Sequence, residues 1–325
     1  MNKTITGLHH ITALSSDAQQ NIDFYAGILG LRMVKKTVNF DAPDVYHLYY
    51  GNEAGDPGTI LTFFPYPGIP KGRKGTGQLT VTSFSVPENS LDYWMKRLTA
   101  FGISFTKPSE RFDNEQYIYF EDNDGLGLEL VANKSDNREG FTYGHIPPEY
   151  AVKGFYGVLL HEENFERTSE LLTGQMDHTL VTEKGNRYRY SAGSRAVEYV
   201  DVLHSPGAGS GRGGSGTIHH VAFATADDHS QLKFREKLVS GGIVDPTPVI
   251  DRQYFHSIYF REPGGVLFEA ATSDIGFTLD EPLEHLGENL RLPVWEEKNR
   301  RSIEKLLTPV SLDFERFSDA QLQHT

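Results

Sequence analysis

The stretch "TIHHVAFATADDHSQLKFREKLVSGG" at 217–242, continued by "HSIYFREPGGVLFEAAT" at 256–272, decides how this chain folds. "TIHHVAFAT" alternates as a strand and carries two adjacent imidazoles. "DHSQLKFREKLVSGG" has helical spacing, with Leu232, Phe234, Leu238 and Val239 roughly on one face, and it stops at Gly241–Gly242. "HSIYFRE" and "VLFEAAT" alternate again, with the turn signal "PGG" between them. The order predicts a βαβββ-like unit.

That order recurs three times upstream. Residues 7–64 give "LHHITAL", the helix "DAQQNIDFYAGILG", then "YHLYYGNE" and "TILTFF". Residues 77–132 give "QLTVTSFSV", "NSLDYWMKRLTAFG", "QYIYFEDNDG" and "LGLELVA". Residues 153–203 give "GFYGVLL", "NFERTSELLTG", "YRYSAGS" and "RAVEYVDVL". A helix-ending glycine recurs at Gly30, Gly102, Gly174 and Gly241, where a left-handed cap costs glycine least. The expected fold is α+β: four βαβββ modules in two tandem domains, 1–138 and 150–272, with a C-terminal tail at 273–325. "SPGAGSGRGGSG" (205–216) reads as a flexible Gly/Ser loop. In the tail, 294–307 reads as one helix that packs across the repeats or covers a mouth.

Composition removes several function classes. The chain has 325 residues, about two domains by length, and no apolar run long enough to span a membrane. No signal-peptide layout is present, so a cytoplasmic location is the default expectation. With no cysteine, disulfides, thiolate ligands and a thiol nucleophile are excluded. A net charge of −13 argues against a nucleic-acid partner. The densest basic run, "EEKNRRSIEK" (296–305), interleaves acids and reads as a solvated helix face.

Aligning the four units by their last strand puts Glu269, Glu129, Glu198 and Thr62 at one equivalent position. Aligning the first strands puts histidine pairs in units one and four, Val81–Thr82 in unit two and Phe155–Tyr156 in unit three. Units one and four together therefore offer two imidazoles and a carboxylate, the donor set that holds Fe(II) with open positions, provided that the two units meet. Strand alternation selects the second histidine of each pair. His220 shares its face with the small Ala222 and Ala224, whereas His219 goes with Val221 and Phe223, as if packed against a helix. The expected metal ligands are His10, His220 and Glu269, with His9 and His219 as structural neighbours. A histidine in an apolar strand is commonly a satisfied core residue, but a glutamate buried in a strand is rare unless paired or metal-bound.

The units "LHHITAL…FYAGILGLRMV", "IHHVAFAT" and "REPGGVLFEAAT" resemble the vicinal oxygen chelate superfamily, which includes glyoxalase I, extradiol dioxygenases and fosfomycin-resistance proteins. The tail "LGENLRLPVWEEKNRRSIEKLL" resembles bacterial ring-cleaving dioxygenases of hydroquinone-type substrates. The resemblance implies Fe(II), with Mn, Zn or Ni as alternatives, on His10, His220 and Glu269, and a small aromatic substrate with O2 as partners. It implies that Tyr259, ten residues before Glu269, bonds a substrate oxygen. Where those enzymes have a further histidine, Ile250 stands here; His256 is the nearer candidate catalytic histidine and needs a bulge to share the face of Tyr259. The rivals are a glyoxalase-like isomerase or thiol transferase, which would want a protein ligand where Thr62 stands, and a metal-free aromatic-binding protein. Edge strands of this architecture make a homodimer unsurprising.

Overall fold

The computed structural model describes residues 3–112, 114–193 and 198–319. Positions 194–197, within the expected strand stretch of unit three, and 320–325 of the tail lie outside the described residues.

Each repeat supplies one more strand than its alternation marks. Unit one is β1 (Leu8–Ser15), α1 (Ala18–Ile22), a π-helical turn (Asp23–Ile28), β2 (Arg32–Asn39), β3 (Ala42–Gly51) and β4 (Ile60–Pro65). Unit two is β5 (Gln78–Val86), α2 (Leu91–Ala100), β6 (Ser109–Arg111), β7 (Glu115–Glu121) and β8 (Gly127–Ala132). Unit three is β9 (Gly154–Glu162), α3 (Glu166–Gly174), β10 (Thr179–Lys184), β11 (Arg187–Ser191) and β12 (Tyr199–His204). Unit four is β13 (Thr217–Thr225), α4 (Asp228–Gly241), β14 (Ile250–Asp251), β15 (His256–Arg261) and β16 (Leu267–Thr272). The extra strands β2, β6, β10 and β14 all sit on sheet edges, where polar residues are tolerated and the apolar alternation fades.

The helices start as their sequences direct. Asp17 and Asp227 accept from the backbone N–H groups of Gln20 and Ser230 at 2.8 Å, caps worth about 1 kcal/mol each. Left-handed glycines end the expected helices at Gly30 and Gly102, but in unit four the cap is Gly242 rather than Gly241. Gly174 is the last residue of α3 and is not left-handed. The buried stripe of α4 also differs from expectation. Gln231, Phe234 and Leu238 are buried, spaced i, i+3, i+7, whereas Leu232 and Val239 are 49% and 53% exposed.

Two eight-stranded sheets result, ordered β14-β15-β16-β13-β1-β4-β3-β2 and β10-β11-β12-β9-β5-β8-β7-β6. At each centre two first strands pair antiparallel: β1 with β13, and β5 with β9. Units one and four thus share one sheet and units two and three the other. Chain order (1–138, then 150–272) and sheet membership divide the four units differently.

The Gly/Ser-rich segment is no flexible loop. It ladders onto the equivalent connector between units one and two: Gly72 N–H donates to Ser215 O, Arg73 and Arg212 exchange backbone bonds, and Gly211 N–H donates to Thr76 O. The glycines permit this backbone approach, since a Cβ on Gly75 would lie 2.3 Å from Gly209 O and one on Gly214 2.3 Å from Pro70 O.

The tail straps unit one. Its residues Asp280 and Glu281 each meet the buried Lys35 ammonium at 2.6 Å, and Leu290 bridges to Lys36 on the edge strand β2. The expected helix over 294–307 is shorter: a 3-10 turn at Glu297–Asn299 leads into α5 (Arg300–Leu306). Among the described residues, no helix is long and apolar enough to cross a membrane.

Candidate metal centre

The pairing of β1 with β13 brings the two histidine pairs together, and two bulges shape them. Between the pairs Leu8↔Phe223 and His10↔Ala222, His9 is an extra residue in β1; between Thr12↔His220 and Ala13↔Ile218, His219 is an extra residue in β13. The bulges override ideal alternation, so adjacent imidazoles meet edge to edge. Nδ1 of His9 lies 2.9 Å from Nδ1 of His10, and Nδ1 of His219 lies 2.7 Å from Nδ1 of His220.

β16 then carries Glu269 beside β13. His10 Nε2 and His220 Nε2 stand 3.2 Å apart, and Glu269 Oε2 lies 3.4 Å from the first and 3.0 Å from the second. All three residues are buried, and among the described residues theirs is the group of three that could hold a metal ion. The triangle suits the purpose. Ligands about 2.1 Å from an octahedral ion and at right angles to each other stand about 3.0 Å apart. Glu269 Oε1 accepts from the Ser257 hydroxyl at 2.5 Å, which turns Oε2 toward the imidazoles. That Oε2 is buried and, among the described residues, faces only the two imidazole nitrogens, with no other hydrogen-bond donor. Burial opposes ionisation of Glu269, but positive charge on the His10 and His220 imidazoles and hydrogen bonds from them hold its pKa well below the ordinary carboxylate value, a place that a bound cation would take over. Burial pushes the His220 imidazole down, toward its neutral, lone-pair form. An orphaned carboxylate oxygen facing imidazole nitrogens is a donor set that a cation completes.

The neighbours fix the tautomers. With a lone pair on His10 Nε2, its hydrogen sits on Nδ1 and donates to His9 Nδ1; His9 Nε2–H then donates to Thr272 O at 3.0 Å. His9 is buried and sits behind His10, away from the Glu269 carboxylate. His219 is not packed with Val221 and Phe223 against a helix: those two lie in the core, while the bulge exposes His219 to a cavity.

The cavity opens on the ligand cluster and has a volume of about 780 Å³. Tyr259 lines it, opposite Glu269 in the β15–β16 ladder, and accepts from Arg252 Nε at 3.2 Å. Burial and then the charge of Glu269 raise the Tyr259 pKa, so the phenol keeps its hydrogen. His256 is elsewhere. The β15–β16 register runs without a bulge from Ser257 to Arg261, so His256 faces away from Tyr259 and meets Asp228 Oδ1 at 2.6 Å. The structure does not bring it to the cluster.

A residue not singled out as a site candidate, His47, does line the cavity. Pairing aligns Tyr49↔Thr62 with Tyr259↔Glu269, so His47 occupies in unit one the place of Ser257 in unit four. Its Nε2 lies 2.8 Å from Thr62 Oγ1 and its Nδ1 2.9 Å from the Tyr49 hydroxyl. Burial, then the neighbouring His10 and His220, pushes its pKa well down. The signal available in the sequence is its place in the repeat, two residues before Tyr49 as Ser257 stands two before Tyr259. The same ladder corrects unit three: Asp201, opposite Arg189, stands at the position of Glu269. Glu198 instead accepts from Leu8 N–H at 2.6 Å. In that second sheet the equivalent acids are neutralised by arginines, Glu129 by Arg111 and Asp201 by Arg189.

Fold and site define a class of protein: paired βαβββ units that hold a two-histidine, one-carboxylate centre in one of two sheets. The chain matches the model of the Glyoxalase/Bleomycin resistance protein/Dioxygenase superfamily over residues 7–130. It is 46% identical over 309 residues to "Putative ring-cleaving dioxygenase MhqO" of Bacillus subtilis (strain 168), covering 95% of this chain and 98% of that protein. It is 35% identical to "Chlorohydroquinone/hydroquinone 1,2-dioxygenase" of Sphingobium indicum, covering 89% and 91%. A crystal structure of a "putative dioxygenase" from Bacillus subtilis superposes with a TM-score of 0.91 at 46% identity, over 96% of this chain and 99% of that one. This chain belongs to that superfamily.

Proposed function

We propose that the protein is a cytoplasmic, Fe(II)-dependent ring-cleaving dioxygenase of hydroquinone-type aromatics, opening the ring beside a hydroxylated carbon in the extradiol sense. The observation that carries the reading is the buried His10–His220–Glu269 triangle, whose two histidines line a cavity of about 780 Å³. The near-full-length likeness to proteins named for this chemistry supports it. Two imidazoles and one carboxylate suit Fe(II) with open positions, and the bound metal would supply a common template for substrate and O2.

The chain's own groups orient the substrate. Arg252 donates to the oxygen of Tyr259, so the phenolic hydrogen is left to donate to a substrate oxygen. The rings of Phe64 and Phe255 and the side chain of Leu267 line the same cavity and exclude water around an aromatic ring. Thr62, which stands where an isomerase of this family would want a fourth ligand, is engaged by His47 and by Thr12 Oγ1 at 2.9 Å. That leaves a three-ligand centre.

The test is reconstitution of protein purified without air, using Fe(II), Mn(II), Zn(II) or Ni(II) singly, with O2 uptake followed on hydroquinone and catechol. Fe(II) is expected to support uptake of one O2 per ring, with both atoms found in the ring-opened product. Uptake with no metal would sink the proposal. Glu269→Ala is expected to bind no metal, and full occupancy in that variant would remove the site assignment.

A further inference from the structure

The cavity is longer than a bare ring requires. His10, Thr12 and Leu14 alternate onto one face of β1, and His10 and Leu14 both line the cavity. At about 3.3 Å per strand residue, this floor runs about 13 Å from the ligand histidine to the Leu14 side chain. A benzene ring with two para oxygens spans about 6 Å by ordinary bond lengths. The volume agrees, because about 780 Å³ falls high in the roughly 300–1,000 Å³ range of sites for drug-sized molecules.

The added length is walled largely by apolar side chains, with Tyr66 and Asn39 bonded to each other beside them. Leu14 lies beside Phe64 in the β1–β4 ladder, Leu267 lines the cavity two residues before Glu269, and Ile69 closes it from the loop after β4. All four side chains are only half-buried, in a protein that buries most of its large apolar residues. The charged Arg252 is engaged by Tyr259 and by Asp41, whose Oδ2 accepts from Arg252 Nη1 at 3.2 Å.

We infer that the substrate is a hydroquinone bearing an apolar substituent of several carbons, which lies along β1 over Leu14, Phe64 and Ile69 while the diol ring sits at the metal centre. The inference rests on the proposed ring-cleaving function and adds the substrate class to it. A polar thiol adduct of the same ring is disfavoured, because it would set its charges against those three side chains.

The test uses the full chain loaded with Fe(II) and a series running from hydroquinone through methyl-, butyl- and hexylhydroquinone, with cysteinylhydroquinone as the polar comparison. kcat/KM is expected to rise about fourfold per buried methylene over the first few carbons, chiefly through KM, with the cysteinyl compound below the butyl one. In Ile69→Asp, on the loop, the ratio of hexyl to bare-ring kcat/KM is expected to fall at least tenfold. A flat or falling series, with hydroquinone itself cleaved, overturns the inference and leaves the ring-cleaving function standing. If no compound consumes O2, anaerobic equilibrium dialysis of the same series reads the cavity separately. Tighter binding of hexylhydroquinone that Ile69→Asp removes supports the inference, and equal binding along the series overturns it.

Discussion

Ser257 and His47 occupy the same position in two copies of one unit, and each holds the residue at the equivalent last-strand position of its own copy. In unit four, Ser257 holds Glu269 Oε1 and so aims Oε2 at the imidazoles. In unit one, His47 holds Thr62, and no carboxylate is present. Ser257→Ala is expected to lower metal affinity about 10- to 100-fold while folding normally, measured by competition with a chromogenic chelator. His256 offers the contrasting case, because its partner Asp228 is on the solvent side. His256→Asn should bind metal and consume O2 as the parent does, with stability changed by less than about 1 kcal/mol. A large loss of kcat at unchanged metal content would return His256 to the site.

The elements show where one-dimensional periodicity loses its hold. Ideal alternation separates His219 from His220, but a single bulged residue in β13 puts both on the cavity. Alternation did select His10 and His220, since in each pair the bulge falls on the first member. The glycine-rich connectors carry a structural requirement of their own. Gly75→Ala would place a Cβ 2.3 Å from Gly209 O and 2.5 Å from Gly211 N, both backbone atoms that cannot rotate away. It is expected to cost about 2 kcal/mol, read as a lowered urea midpoint at unchanged m-value. A midpoint within error of the parent would show that the ladder is slack.

At the scale of the whole molecule, the two sheets meet through buried carboxyls. Glu162 ends β9 in one sheet and Glu262 begins the turn after β15 in the other; a Cβ on Gly264 would touch both. Thr168 donates to Glu262 at 2.6 Å, while neither oxygen of Glu162 has a hydrogen-bond partner among the described residues. Burial, then the charge of Glu262, pushes Glu162 from 4.5 up to about 8. The folded chain therefore keeps a proton that the unfolded chain releases, so stability falls as pH rises between about 4.5 and 8. Glu162→Gln should flatten that fall and raise the melting temperature at pH 8 relative to the parent; an unchanged pH slope would refute the shared burial. Much of the fold and the candidate His–His–Glu cluster was legible because each rests on short-range pattern: the helix-and-strand order of the repeat, the histidine pairs, and a glutamate in an apolar strand. Boundaries such as α5, the stripe of α4, and the places of Glu198, His47 and His256 were not, because each depends on strand register or on packing against a distant segment. Sequence by itself determined the four-fold repeat and pointed to His10, His220 and Glu269 as candidate ligands, since local periodicity and residue chemistry are written along the chain. Only the tertiary structure decided that the first and last units share a sheet, because the β1–β13 pairing joins residues some two hundred positions apart and no local pattern encodes that partner.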